Sequence, residues 1–311
     1  MNDALILASA TGNLLRLALL EAGTLVEYTL IDPAQPDGVG DQYEGRVLAR
    51  ASAMGGVFVD LGSSTGTGFL PDSAGGKTAT EGDALSLRIT RAAQGGKGPR
   101  VATTSIPPQG GKPGLRARGP GPLGALRALH PHAPIHADQY AVLATLRPTY
   151  PDATYQAACF AALEDEIAAL AEPQCPLPGG AIAHFSPTPA LTAIDIDAAA
   201  ATAARARKTE SQAQLNRGLI PELTRQIRLR NFGGAILIDF AGMKATARPA
   251  LGPDLATALA RDPQHPKLLG FTALGFAEIR RPRIRAPLHE ILAHHHTTHH
   301  HTTQHHEARQ P

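Results

Sequence analysis

Apolar and polar positions alternate with a period of two through much of the first third of the chain, a pattern that predicts strands. ALILAS at 4–9, LLRLALLE at 14–21 and LVEYTLID at 25–32 predict a hairpin or meander with a turn at Gly23. Over 14–20 the apolar run is nearly continuous, so helix competes with strand there. Five more runs follow at 42–50, 56–61, 67–70, 84–90 and 100–106, separated by glycines and polar turns. That texture predicts a small five-stranded barrel of OB type. Helical spacing is clear only at 155–171 (YQAACFAALEDEIAALA), 220–230 and 253–261. Strands are expected at 137–146, 179–185, 191–196, 234–240 and near 274–278. From 179 onward the order of strand, helix and strand predicts an α/β unit.

Two of these runs carry chemistry. LTAIDID at 191–197 is an apolar strand that ends in Asp195 and Asp197. In RQIRLRNFGGAILIDFAGM, at 225–243, a basic helical segment leads into a second apolar strand that ends in Asp239. Two strand-borne acids that converge beside a guanidinium-rich surface suit a divalent metal acting on a phosphodiester, which predicts a nuclease.

Charge segregation supports this. The net charge is only +2, yet residues 148–204 hold seven acids and no Lys or Arg. Residues 225–285 hold eleven basic residues against four acids. An acidic, metal-collecting centre beside a basic face fits a polyanion substrate, although two solvated helix faces of opposite sign produce the same count. Arg225, Arg228, Arg230 and Lys244 are candidate phosphate contacts, with a surface or structural charge as the favoured competing reading of each. On the barrel, Phe58 and Phe69 either stack bases or belong to the core, with Arg46, Arg88 and Lys97 available for phosphates. The Gly/Pro-rich stretch 107–127 carries four Lys/Arg and is expected to be a flexible basic linker. Glu164, Asp165 and Glu166 are expected on the solvated side of the 155–171 helix.

No run approaches the roughly 20 apolar residues of a membrane helix, and the N-terminus lacks the basic start of a signal peptide. Cys159 and Cys175, the only cysteines, suit a reducing cytoplasm or serve as plain buried thiols. Eight of the fourteen histidines crowd into 294–306, a low-complexity tail without ligand spacing, read as disordered.

LTAIDID and RQIRLRNFGGAILIDFAGM together resemble the ribonuclease E/G family of bacterial endoribonucleases. So do the N-terminal strands, the barrel segments VGDQYEGRVLAR, GGVFVDLGSSTGTGFLPD and GGKGPRVATTSI, and LGFAEIRRPRIRAPLHEIL near the end. The resemblance implies an α+β chain. An RNase H-like N-terminal segment would embed an OB-fold of the ribosomal S-one type, followed by a DNase I-like metal-dependent nuclease unit. The expected divisions are 1–37 for the N-terminal β segment, 38–106 for the barrel and 107–150 for the linker with a degenerate 5′-end sensor. The catalytic unit is expected at 151–286 and the His-rich tail at 287–311.

By the same resemblance, Asp195 and Asp239 hold a catalytic Mg²⁺, with Mn²⁺ as the alternative ion. Asp197 stands where the family commonly has Asn, and Gly242 replaces an acid in the family's IDFIDM pattern. Phe58, Phe69 and Lys97 fall where the family's barrel grips RNA, and Arg228 and Arg230 complete the expected RNA contacts. The implied activity is cleavage of single-stranded RNA to 5′-phosphate and 3′-hydroxyl ends in cytoplasmic RNA processing or decay. The alternative is a non-catalytic RNA-binding relative. No VRT-type sensor strand is evident, and no cysteine follows Cys175 to build the family's zinc link. A monomer or dimer is therefore expected, not a zinc-linked tetramer, and no membrane partner.

Overall fold

The computed structural model describes residues 3–198 and 208–294. The three N-terminal runs pair as an antiparallel meander: β1 (Ala4–Thr11), β2 (Leu14–Glu21) and β3 (Thr24–Ile31). The ambiguous run at 14–20 is thus a strand. Alternation sends Ile6, Ala8, Leu17 and Leu19 to one face and Leu7, Leu14 and Ala18 to the other, and both faces are buried. The sheet gains two parallel strands from much later in the chain, β10 (Ile135–Ala137) on β1 and β11 (Thr154–Tyr155) on β10.

Between these halves sits the barrel. Its strands are β4 (Gln42–Ala51), β5 (Gly56–Asp60), β6 (Thr67–Pro71), β7 (Ala84–Arg91) and β8 (Arg100–Thr103). The order β5-β6-β8-β7-β4, with β5 pairing back onto β4, closes the sheet into a five-stranded barrel compatible with an OB-like fold. Tyr43, Val47, Val57, Val59, Leu70 and Val101 are among the residues that fill it.

The stretch expected as a flexible linker is folded, which corrects that expectation. β9 (Gly114–Ala117) adds to β4, and a helix at Gly121–Leu129 covers the first sheet with Leu123 and Leu126. Two acids of the barrel explain the ordering. Asp41 and Glu44 are buried, and a buried carboxylate requires partners. Glu44 takes Arg116 at 2.6 Å and the N–H groups of Gln109 and Gly111; Asp41 takes Arg118 at 2.8 Å and the N–H of Gly119. Burial alone would raise the Glu44 pKa, but the Arg116 bond and the two backbone donors outweigh it and hold the carboxyl below its usual range.

Two more expectations change. Of the region read as a strand at 137–146 only Ala137 is one, at the end of β10; Tyr140–Leu146 is a helix, because Val142 and Leu143 each lie about one helical turn from Leu146 against the first sheet. The helix expected at 155–171 shrinks to a 3₁₀ turn and Glu164–Ala169, since Tyr155 joins the sheet and Ala158 takes a left-handed conformation (φ 49°) that breaks helical propagation. Its acids are not merely solvated: Glu164 pairs with Arg16 and Glu166 with Arg225.

The last unit is a six-stranded sheet ordered β12-β13-β14-β15-β17-β16. Its strands are β12 (Gln174–Leu177), β13 (Ala181–Pro187), β14 (Leu191–Asp197), β15 (Gly234–Asp239), β16 (Lys267–Phe271) and β17 (Ala277–Arg281). Only β14 and β15 run parallel. One face packs on the helices Lys208–Leu229 and Gly252–Leu259 through Ile194, Ile196, Ile236, Ile238, Leu223 and Leu255. The longer helix begins well before the expected 220. Pro221 lies inside it. The Ala-rich stretch after Asp197 lies outside the described residues, as does the histidine-rich tail beyond His294. Part of the region assigned to that tail is ordered: residues 288–294 are helical, and Leu288 is buried against Leu229.

Candidate active site

Asp195 and Asp239 are register partners on neighbouring parallel strands. Strand spacing then puts their Cα atoms roughly 5 Å apart. On β14, Ile194 and Ile196 turn into the core, so Asp195 and Asp197 turn to the opposite, open face. On β15, Ile238 is buried and Asp239 emerges on the same open face as Asp195. The carboxylates sit at the carboxyl ends of the two parallel strands, where open α/β sheets commonly place ligands. Asp197 lies two residues further along, exposed and opposite Ile182.

Asp239 meets a counter-charge. Arg248 Nη1 lies 2.5 Å from its Oδ1, and the guanidinium also donates to the carbonyls of Met243 and Gly275. The loop after Asp239 is tied to the long helix, with Asn216 Nδ2 donating to the Ala241 carbonyl at 2.9 Å. Gly242 has φ 64°, and a Cβ there would fall 2.4 Å from the Gln212 side chain. An acid at 242 would therefore need both a left-handed backbone and a displaced Gln212.

The donor set suits Mg²⁺, which usually takes one or two carboxylates and keeps several waters. Asp195 and Asp239 are the two carboxylates placed to hold such an ion. Among the described residues no group of three or more His, Cys, Asp and Glu forms a ready-made metal cage.

Sequence reasoning missed two neighbours. His184 on β13 is the register partner of Asp195 from the other side, half-buried on the open face. The alternation Ala181, Ala183, Phe185 into the core carries that signal. Arg248 follows Asp239 by nine residues in the short 3₁₀ helix Ala245–Leu251, and no pattern in the sequence announces it.

The expected RNA contacts divide. Phe58 and Phe69 are register partners on β5 and β6, half-buried and outside the barrel core, with ring centroids 5.7 Å apart in an edge-to-face arrangement. Gly56 makes room for them, since a Cβ there would sit 2.5 Å from the Phe69 ring. Lys97 is exposed in the turn closed by Gln94, and Lys244 is exposed in the loop after Asp239. Arg228 and Arg230 are not surface residues, which corrects their assignment. Arg228 is 8% exposed and bound to Glu27 at 2.6 Å; Arg230 is 3% exposed, over the Phe185 ring and bonded to Gln226 and the Ala169 carbonyl. Arg225 is likewise engaged by Glu222 and Glu166. Arg225, which also donates to the Leu25 carbonyl, and Arg228 fasten the long helix to β3 of the first sheet, while Arg230 ties its end to the Ala169 and Glu172 carbonyls. Burial pushes the Glu27 carboxyl up even though Arg228 pulls it down.

A cleft of about 1170 Å³ between the first sheet and the barrel contains neither Asp195 nor Asp239. Its arginines are neutralised, Arg118 by Asp41 and Arg285 by Asp37. No described helix is long and apolar enough to cross a membrane.

Residues 149–284 match the model of the Ribonuclease E/G family. The chain is 31% identical over 100 residues to Ribonuclease E of Buchnera aphidicola, a match covering 32% of this chain and 11% of that protein. It is 36% identical over 72 residues to Ribonuclease E of a Synechocystis species, covering 23% of this chain and 10% of that one. The chain thus aligns with about a tenth of the length of these relatives.

Proposed function

Since residues 149–284 belong to the ribonuclease E/G family, we propose that this chain is a Mg²⁺-dependent endoribonuclease acting on single-stranded RNA. The observation that carries this reading is the Asp195–Asp239 register pair on the open face of the sheet. The two carboxylates would hold the ion, with Mn²⁺ as the alternative. Bound there, a divalent cation would supply Lewis-acid charge at the scissile phosphate and would lower the pKa of a water so that hydroxide is available near neutral pH. Hydrolysis in this reading leaves a 5′-phosphate and a 3′-hydroxyl.

The other residues bind and orient. Asp197 adds negative charge along the same face. Lys244, exposed beside Asp239, takes a phosphate. Phe58 and Phe69 offer faces for bases, and Lys97 takes the backbone beside them. Two features support an RNase H-like first sheet: the meander β1-β2-β3 and its two parallel additions. The nuclease sheet, with helices on one face and acids on the other, supports a DNase I-like unit. Two free thiols, Cys159 and Cys175, support a reducing, cytoplasmic setting, and the role in this reading is RNA processing or decay.

One observation favours a second reading, a non-catalytic RNA-binding relative: Arg248 already occupies Asp239. Cleavage of an A/U-rich single-stranded RNA with Mg²⁺ or Mn²⁺ separates the two. Wild type should yield products, while Asp239→Asn and Asp195→Asn should lose at least about 100-fold in rate and remain folded. Equal rates in wild type and variants remove the assigned site, and binding without product supports the second reading.

A further inference from the structure

A row of register partners crosses the outside of the barrel from aromatic to cationic. Phe58 pairs with Phe69, Phe69 with Arg100, and Arg100 with Arg91, on β5, β6, β8 and β7 in turn. Four strands at normal spacing make this row roughly 14 Å long, enough for two or three nucleotides. The Arg100 guanidinium lies 5.9 Å from the Phe69 ring centroid.

Arg91 and Arg100 are like charges directly opposed on neighbouring strands, an arrangement that destabilises a sheet. Among the described residues neither guanidinium meets a carboxylate, and Arg91 Nε is buried without a hydrogen-bond partner. A third cation comes from the nuclease unit. Ala92 N–H donates to the Ile284 carbonyl at 2.9 Å, joining the end of β7 to the segment that carries Arg283. Arg283 itself donates to the Gly233 carbonyl, just before β15 begins. Burial, then the charges of Arg100 and Arg283, depress the Arg91 pKa, as expected for cations gathered without an anion.

We propose that Arg91, Arg100 and Arg283 form a phosphate cradle for single-stranded RNA, receiving the backbone as the strand passes from the Phe58–Phe69 rings toward the nuclease sheet. This rests on the RNA-cleaving function above, and it names the joint between barrel and sheet as the path. Like charges that oppose each other in the free protein are relieved by a polyanion, and planar guanidinium groups suit phosphate oxygens.

The test is binding of a fluorescein-labelled twelve-residue oligouridylate, followed by anisotropy in EDTA over a series of KCl concentrations. For single strands each neutralised phosphate contributes about 0.7 to the slope of log K against log salt. The Arg91→Ala, Arg100→Ala double variant should lower that slope by about 1.4, and Arg283→Ala by about 0.7. Phe58→Ala with Phe69→Ala should weaken binding and leave the slope unchanged. Glutamine at 91 and 100 serves as a second pair of substitutions. Melting temperature should hold or rise, because a repulsion is removed. A slope unchanged in both arginine variants, with wild-type binding intact, overturns the cradle alone. Failure of wild type to bind RNA at low salt overturns the cradle together with the RNA reading.

Discussion

Removing the Arg248 charge should tighten divalent-cation binding at Asp195 and Asp239. In the free protein this guanidinium lies 2.5 Å from Asp239 Oδ1, where it competes with any incoming cation. Asp239 is 38% exposed, so solvent screens the pair and the scale for exposed salt bridges applies, not that for buried ones. Arg248 is 12% exposed and anchored by two carbonyls, which saves part of the entropy cost and favours the upper end of that scale, about 1 kcal/mol. Freed of that competition, the site should bind about fivefold tighter. Titration of Mn²⁺ followed by the electron paramagnetic resonance of the free ion reads this directly, without RNA or turnover. Arg248→Gln is the preferred variant, because its amide nitrogen falls where Nε donates to the Met243 carbonyl; Arg248→Lys should fall between it and wild type. Affinity that is unchanged or weaker in Arg248→Gln, with melting preserved, would refute the idea that the arginine competes for Asp239.

Two further outcomes follow. Phe58→Ala with Phe69→Ala should weaken oligouridylate binding at least about tenfold, given about 1–3 kcal/mol per stacked base, with unchanged circular dichroism; unaltered affinity would return both rings to a structural role. Glu44 has a depressed pKa when folded, so its stabilisation is present above the unfolded carboxylate pKa and lost as pH falls through the folded value. Thermal melts of wild type should therefore decline on acidification through and below the ordinary carboxylate range. Glu44→Gln should melt lower at neutral pH and show a shallower decline, and parallel curves would show that the carboxylate does not order the segment 107–119.

Local patterns carried the strands, because alternation and apolar runs depend on near neighbours alone. The ends of β14 and β15 were visible as apolar runs closing on Asp195 and Asp239. That the two strands are adjacent, parallel and in register was not visible, since it depends on chain segments 44 residues apart. The errors share one cause, a partner distant in sequence. Arg228 looked like a surface cation because Glu27, which buries it, lies 201 residues away. The Gly/Pro-rich stretch looked flexible because the acids that order it lie some 65 to 78 residues away, Asp41 just before β4 and Glu44 within it. Tyr155 looked helical because its parallel partner Ala137 belongs to another run. Arg248, outside any periodic segment, left no trace at all.

The first sheet also dictates how the protein must be made. β1 lies at its centre, yet the strand that covers one of its edges starts at residue 135, 124 residues after Thr11 (135 − 11). At roughly 5–20 residues per second, a ribosome leaves that edge bare for roughly 6–25 seconds, along with the face later capped by Leu123, Leu126 and Leu143. An unpaired, apolar strand edge is a template for association with other chains. Recombinant synthesis should consequently reward slow growth and cold induction, and inclusion bodies should be richest in chains truncated before β10.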